Sequence, residues 1–104
     1  MTPNPALERT AEEFQGWLDS LKDKRALVRI AARLRQAEAG NLGDWEPIDG
    51  DVSEMKIDFG PGYRLYFARR GRVIIVLLQG GDKSSQNRDI RRALKLAAQL
   101  GADL

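Results

Sequence analysis

The chain has 104 residues, of which 42% are hydrophobic and 31% are charged, and this composition excludes a disordered or fibrous protein. It contains no cysteine and no histidine, which excludes disulfides and thiolate chemistry and removes the commonest general base and metal ligand. The formal net charge is only +2, but residues 1–54 sum to −4 and residues 55–104 to +6. Such a basic half suits a polyanion such as nucleic acid, although basic residues that merely cover a solvated face would give the same count.

The length suits one domain that spans residues 1–104. No apolar run approaches the roughly 20 residues that cross a bilayer, and the opening MTPNPALERT lacks the basic-then-apolar order of a signal peptide. We therefore expect a cytoplasmic protein without a membrane segment, a metal site or a cofactor.

Two helices are predicted in the first half, because apolar residues recur there at helical spacing. The first stripe lies in residues 11–21 and consists of Phe14, Trp17, Leu18 and Leu21. The second lies in residues 24–39 and consists of Leu27, Ile30, Ala31, Leu34 and Ala37. A short polar break separates them, which predicts a helical hairpin, and most arginines of the second helix are expected to point to water. The segment GNLGDWEPIDG is interpreted as a loop, with Trp45 either in the core or in contact with a ligand. Weak alternation at Pro5–Arg9 allows one more short strand.

Alternation of apolar and polar residues predicts two strands around the turn Gly60–Gly62. Met55, Ile57 and Phe59 form the apolar half of the first strand, and Tyr63, Leu65 and Phe67 that of the second. The segment RRGR is predicted to be the next turn, and the unbroken apolar run VIIVLL at 73–78 to be a strand that is buried on both faces or central in the sheet. The three strands form an antiparallel meander.

The polar half of each alternation is expected to form an open sheet face, with the helices covering the other face. If the turn is only three residues long, Asp58 lies opposite Arg64 and Lys56 lies opposite Tyr66. A strand fixes the direction in which an arginine side chain points, and the planar guanidinium group can bind two oxygens of a phosphate. Alternatively, Arg64 only pairs with Asp58 on a solvated face, a contact that contributes about 0–1 kcal/mol.

The segment QGGDKSSQ at 79–86 connects the last strand to a helix whose apolar side includes Ile90, Ala93 and Leu94. Backbone amides, Lys83 and the helix N-terminus meet there, so a phosphate could bind. It is not a nucleotide-binding P-loop, because the required glycine, lysine and serine spacing is absent. Alternatively, the glycines only make a tight turn and Ser85 only caps the helix.

Four segments in this order, FQGWLDSLKD, RIAARLRQAEAGNLGD, GPGYRLYF and LLQGGDKSSQNRDIRRAL, resemble the RelE/ParE toxin superfamily, and within it the HigB-like, phage-related addiction-module killer proteins. The resemblance covers residues 14–100. It implies an α+β fold in which an N-terminal helical hairpin packs on a curved antiparallel sheet with a C-terminal helix.

The resemblance also implies a function, namely the toxin of a type II toxin–antitoxin system. Such a toxin would be an mRNA endoribonuclease (mRNA interferase) that needs no metal and acts on ribosome-bound mRNA. It would be neutralised by a helix-turn-helix antitoxin, and it would contact operator DNA only through that antitoxin. In the implied reaction, a ribose 2′-hydroxyl of the RNA attacks the adjacent phosphate, which gives a cyclic phosphate and a free 5′-hydroxyl.

The implied catalytic residues are Arg64, Lys83, Tyr66 and Lys56. Arg64 would stabilise charge on the phosphate, and Lys83 would bind the phosphate or protonate the leaving oxygen. Tyr66 or Tyr63 would orient or stack on a nucleobase, and Lys56 would be a general base or an electrostatic helper. RNA contacts are assigned to Tyr63, Arg69, Arg70, Arg88 and Arg91. The chain lacks the tyrosine or histidine that RelE-type enzymes often carry near the C-terminus, so the general acid and base stay unassigned.

Two alternatives keep the same fold. ParE-like members of the superfamily inhibit DNA gyrase and are not nucleases, and a toxin-derived module could bind only its antitoxin or DNA.

Overall fold

A computed structural model describes residues 10–70 and 73–100, so the strand predicted at Pro5–Arg9 lies outside the described residues. Three helices and four strands follow in the order α1 (Glu12–Ser20), α2 (Lys24–Glu38), β1 (Trp45–Asp49), β2 (Val52–Ile57), β3 (Tyr63–Arg70), β4 (Val73–Asp82) and α3 (Gln86–Gln99). The strands form one antiparallel sheet in the order β1-β2-β3-β4, and a single parallel bridge joins Thr10 to Leu77 on the outer side of β4. The α+β class and the antiparallel meander are confirmed.

The sheet is covered on both faces, so the prediction that the helices cover only one face is wrong. The first face packs against α1 and α2 in an apolar layer that includes Phe14, Ile30, Met55, Leu65 and Phe67. The second face packs against α3 in a layer that includes Val52, Tyr66, Val76, Leu78 and Ala93. Of the two alternatives predicted for β4, burial on both faces is confirmed, because its side chains contribute to both layers. A central position is not, because β4 is the last strand in the order of the sheet.

Local signals explain where the helices begin. The Asp23 side chain accepts hydrogen bonds from the backbone N–H groups of Arg25 and Ala26, which caps α2. The first turn of α1 carries Glu12 and Glu13, whose charges suit the positive end of the helix dipole. No helix in the described part of the chain is long and apolar enough to cross a membrane.

The segment that was interpreted as a loop contains a strand, β1. It pairs with β2, with Trp45 opposite Met55 and Glu46 opposite Glu54. The residue that obscured it is Pro47, which cannot donate to a ladder but is tolerated on an edge strand such as β1. Trp45 is half-buried and packs against the first apolar layer, so the core alternative holds for this side chain.

The predicted pairing of β2 with β3 is wrong by two residues. Ile57 lies opposite Tyr63, Lys56 opposite Arg64 and Glu54 opposite Tyr66. The error arose because the connection runs from residue 58 to residue 62 rather than over the three residues of the GPG motif. Two of its glycines, Gly60 (φ 56°) and Gly62 (φ 81°), adopt the left-handed conformation that L side chains resist.

Arg69 and Arg70 lie within β3, not in the turn that was predicted for RRGR. The two residues that connect β3 to β4, at 71 and 72, lie outside the described residues.

Candidate functional site

Three of the four predicted catalytic residues line one cavity at the end of the sheet where β2 and β3 meet. The cavity has a volume of about 290 Å³ and is lined by Asp44, Lys56, Ile57, Asp58, Gly62, Arg64 and Lys83. Lys56 and Arg64 are direct cross-strand neighbours, and Lys83 reaches the cavity from the corner after β4. Three cations thus surround a volume that can hold a phosphate.

Arg64 is held from below by a buried carboxyl group. Its side chain retains 12% exposure, and its Nη1 atom lies 3.2 Å from Oε1 of Glu54, which is completely buried. The predicted partner, Asp58, lines the same cavity but lies in the connection after β2 and not opposite Arg64, because the register differs from the prediction. Glu54 was not among the predicted site residues. Its position in the alternation, on the same face as Lys56, was the signal that could have indicated it.

The Glu54 carboxyl also neighbours that of Glu46, which lies opposite it on β1. Burial raises the pKa of Glu54, the neighbouring carboxyl of Glu46 raises it further, and Arg64 opposes the shift. The hydrogen bond from Lys56, whose Nζ lies 3.0 Å from Oε1 of Glu46, lowers the pKa of Glu46. The pKa values of the two carboxyl groups are thus shifted in opposite directions, as expected for two carboxyl groups whose surroundings differ.

Lys83 is placed by a capped corner between β4 and α3. The Asp82 side chain accepts hydrogen bonds from the backbone N–H and the hydroxyl of Ser84, and the Ser85 hydroxyl accepts one from the backbone N–H of Asp82. The stem of Lys83 crosses Gly62, where an added β-carbon would lie 3.1 Å from its Cγ and Cε. The missing side chain at Gly62 therefore makes room for Lys83 at the cavity.

The two glycines of the GGDKSS segment have packing roles. A β-carbon at Gly80 would lie 2.0 Å from the Trp17 ring, and one at Gly81 would lie 1.8 Å from Oδ2 of Asp89. Asp89 is buried and accepts a hydrogen bond from the Ser85 hydroxyl. The structural alternative thus accounts for these glycines and for Ser85, while Lys83 is left exposed beside them.

Arg33 is half-buried beside the cavity, whereas the other three arginines of α2 are exposed, as expected for most of them. Its guanidinium donates to the backbone carbonyl oxygens of Lys56, Leu42 and Asp44. Burial lowers its pKa, and Asp44 partly offsets the effect. Arg33 therefore ties α2 to two segments that line the cavity.

Tyr66 does not belong to the accessible site, which corrects its predicted catalytic role. The side chain is completely buried beneath α3, and its hydroxyl has no hydrogen-bond partner among the described residues. Burial raises the pKa of Tyr66, and the nearby Glu54 and Asp89 raise it further. The open face on which Tyr66 was expected does not exist, because α3 covers it.

Tyr63, Arg69 and Arg70 are also not brought to the cavity as RNA-binding groups. Tyr63 is buried on the face of α1 and α2, with its ring edge-on to Trp17 at 6.2 Å, so it cannot stack on a base. Arg69 and Arg70 lie at the far end of β3, roughly 16 Å and 20 Å along the strand from Arg64. The Arg69 guanidinium lies 4.6 Å from the centre of the Trp45 ring and donates to Ser53.

Arg88 and Arg91, by contrast, lie next to the site. They line a second, open cavity of about 460 Å³ at the start of α3, and Lys83 lines both cavities. Arg88 also lies 3.7 Å from the carboxylate of Asp89. A basic surface thus runs from Lys56 through Arg64 and Lys83 to Arg91.

Within the described residues, no group of three or more acidic side chains is placed to hold a metal ion.

The chain is 42% identical over 93 residues to a protein of Haemophilus influenzae that is described as uncharacterized. The alignment covers 89% of this chain and 94% of that protein. No family model matches the chain, and no solved structure matches it significantly.

Proposed function

We propose that this chain, which belongs to the same family as the Haemophilus influenzae protein, is a RelE-like toxin that cleaves messenger RNA. The observation that carries the proposal is the convergence of Lys56, Arg64 and Lys83 on one cavity of about 290 Å³. The order of elements and the motifs GPGYRLYF and LLQGGDKSSQNRDIRRAL support it through their resemblance to the HigB-like killer proteins.

In the proposed reaction a ribose 2′-hydroxyl attacks the adjacent phosphorus, and the bond from phosphorus to the 5′-oxygen breaks. Negative charge grows on the non-bridging oxygens, and the Arg64 guanidinium stabilises it with the N–H donors that Glu54 does not use. Lys83 donates a proton to the departing 5′-oxygen. Lys56 serves as a second cation rather than as a base, because it already pairs with Glu46.

The proton of the 2′-hydroxyl needs an acceptor in the same cavity. Asp44 and Asp58 are exposed carboxylates in its lining, and carboxylates serve as general bases where their position allows. We assign the proton to one of these two groups. Tyr66 is not used, because no substrate atom can reach it without displacement of α3.

The basic surface that continues to Arg88 and Arg91 would bind the flanking RNA backbone on the ribosome. As a toxin, the protein would act in the cytoplasm and would be held inactive by a helix-turn-helix antitoxin. We expect that antitoxin to cover the cavity with acidic groups.

The test is controlled expression in bacteria with and without an antitoxin, followed by primer extension of messenger RNA and a plasmid topology assay. Cleavage within translated messages that disappears in Arg64→Ala supports the proposal. Arg70→Ala is the matched control, since it removes the same charge at the far end of the same strand. Relaxed or cleaved plasmid with intact messages would instead indicate a gyrase inhibitor and overturn the proposal.

A further inference from the structure

We infer that Glu54 is a positioning residue, whose buried carboxyl group aims the Arg64 guanidinium into the cavity between Lys56 and Lys83. The inference rests on the proposed function, because it assigns Arg64 to the phosphate of that reaction. Glu54 itself touches no substrate, since it is completely buried.

The two oxygens of Glu54 are both engaged, and each fixes a different element. Oε1 accepts from Nη1 of Arg64 at 3.2 Å, and Oε2 accepts from Nε2 of Gln86 at 3.3 Å. Glu54 therefore ties the arginine on β3 to the first residue of α3. A guanidinium held at one edge presents its remaining donors in one direction, which here is the cavity.

The charges around Glu54 favour the same role. Lys56 and Arg64 lie side by side, and Glu46 and Glu54 lie side by side next to them. Lys56 pairs with Glu46 at 3.0 Å, which leaves Glu54 as the carboxyl group that contacts Arg64. Tyr66 opposite Glu54 on β3 and Asp89 on α3 are the other titratable groups that act on this part of the interior.

Packing alone does not explain a carboxyl group at this position. A buried carboxyl group is costly, and removing one partner of a buried ion pair destabilises the fold, whereas replacing both partners by apolar residues is often neutral. A purely structural Glu54 would therefore lower the stability of an apolar variant but leave the activity of the folded variant unchanged. A positioning Glu54 would also lower the activity of the folded variant.

The experiment compares Glu54→Gln with Glu54→Met, two side chains of similar length of which only the first keeps a strong acceptor for Arg64. Rotation of the Arg64 guanidinium, measured by NMR of its labelled nitrogens, reports the contact without any RNA. We expect slow rotation in the wild type and in Glu54→Gln and fast rotation in Glu54→Met. In cleavage assays we expect kcat to fall about 10²-fold in Glu54→Met, with a smaller change in KM, as for a catalytic group displaced by about 1 Å.

Glu54→Gln should recover most of that loss, and Glu54→Met should cause no further loss in an Arg64→Ala background. The inference would be overturned if folded Glu54→Met showed the same guanidinium rotation and the same cleavage rate as the wild type. It would also be overturned if Glu54→Met lowered the cleavage rate further in the Arg64→Ala background. If Glu54→Met does not fold, Glu54→Leu takes its place under the same criteria. If the wild type cleaves no RNA, the proposed function fails, whereas the NMR comparison still decides whether Glu54 holds Arg64.

Discussion

Lys83 lies directly across Gly62, with its Cγ and Cε 3.1 Å from the place where a β-carbon would stand. The two residues come from different connections, one between β2 and β3 and the other between β4 and α3. Their contact brings the lysine to the cavity that Arg64 lines. A side chain at Gly62 would therefore act on the site through Lys83.

Gly62→Ala should lower both stability and activity. Its φ of 81° is unfavourable for alanine, at a cost of about 1 kcal/mol, and the new methyl group must also displace Lys83. Gly60→Ala is the control, because it has a positive φ of 56° but meets only the Tyr63 ring, at 3.6 Å. Thermal unfolding should show a similar loss for both variants, while RNA cleavage should fall further in Gly62→Ala. Equal cleavage rates in Gly62→Ala and Gly60→Ala would mean that Lys83 does not contribute to the site.

Lys83→Ala should reduce cleavage by ~10²-fold, a typical loss for one electrostatic donor to a transition state. The fold should be unaffected, because the side chain is exposed and the corner is capped by Asp82 and Ser85. Lys95→Ala, which removes the same charge from the exposed side of α3, should retain activity. The measurement is the rate of cleavage of a translated message, and comparable rates in the two variants would contradict the assignment of Lys83.

Tyr66→Phe should leave activity intact. The hydroxyl is buried without a partner among the described residues, so its removal relieves a desolvation cost and should leave stability unchanged or raise it by up to about 1 kcal/mol. Chemical denaturation and the cleavage assay measure the two effects. A loss of activity with the fold intact would restore Tyr66 to the mechanism and would imply that α3 moves during the reaction.

Glu54 should make stability depend on pH in an unusual direction. Its pKa is raised above the ordinary 4.5, mainly by burial, so its contribution to stability is complete below that value and is lost as pH rises through the folded-state pKa. Glu54→Gln should therefore become more stable relative to the wild type from pH 4 to pH 7.

Glu46 should give the opposite slope. Its pKa is lowered, mainly by the hydrogen bond from Lys56, so its contribution is present above 4.5 and is lost on acidification. Glu46→Gln should become less stable relative to the wild type over the same range. Melting temperatures at several pH values measure both slopes, and parallel slopes would contradict the opposite pKa shifts of the two carboxyl groups.

Much of the fold could be predicted from periodicity. The stripe through Phe14 and Trp17 predicted α1, and the alternation through Leu65 and Phe67 predicted β3. The strand β1 could not be predicted, because Pro47 and the neighbouring acidic residues hide its weak alternation. The turn predicted at RRGR lies partly within β3. The pairing across the turn at Gly60 was not predicted either, since a strand pattern has period two and any even shift preserves it.

The site could be predicted only in part, for a related reason. Lys56, Arg64 and Lys83 could be placed at one end of the sheet, because each lies at a strand end or just beyond one. Tyr66 alternates with Leu65, which indicates that the two side chains lie on opposite faces of the sheet, so Tyr66 was expected on an open face. No feature of the nearby sequence indicates that α3 covers that face. The apolar run of β4 contained the missing information, since a strand that is apolar on both sides requires cover on both. The buried Glu54 was overlooked because its role depends on the true pairing.

The most direct measurement is the chemical nature of the ends that the purified protein produces on a messenger RNA in a reconstituted translation system. The account predicts new fragments with a free 5′-hydroxyl and a cyclic phosphate at the preceding 3′ end, formed without added metal beyond that of the ribosomes. Arg64→Ala should produce none of them, while Arg70→Ala should produce them as the wild type does. Intact messages, or cleavage by Arg64→Ala at the wild-type rate, would contradict the central claim that the cavity formed by Lys56, Arg64 and Lys83 acts on an RNA phosphate.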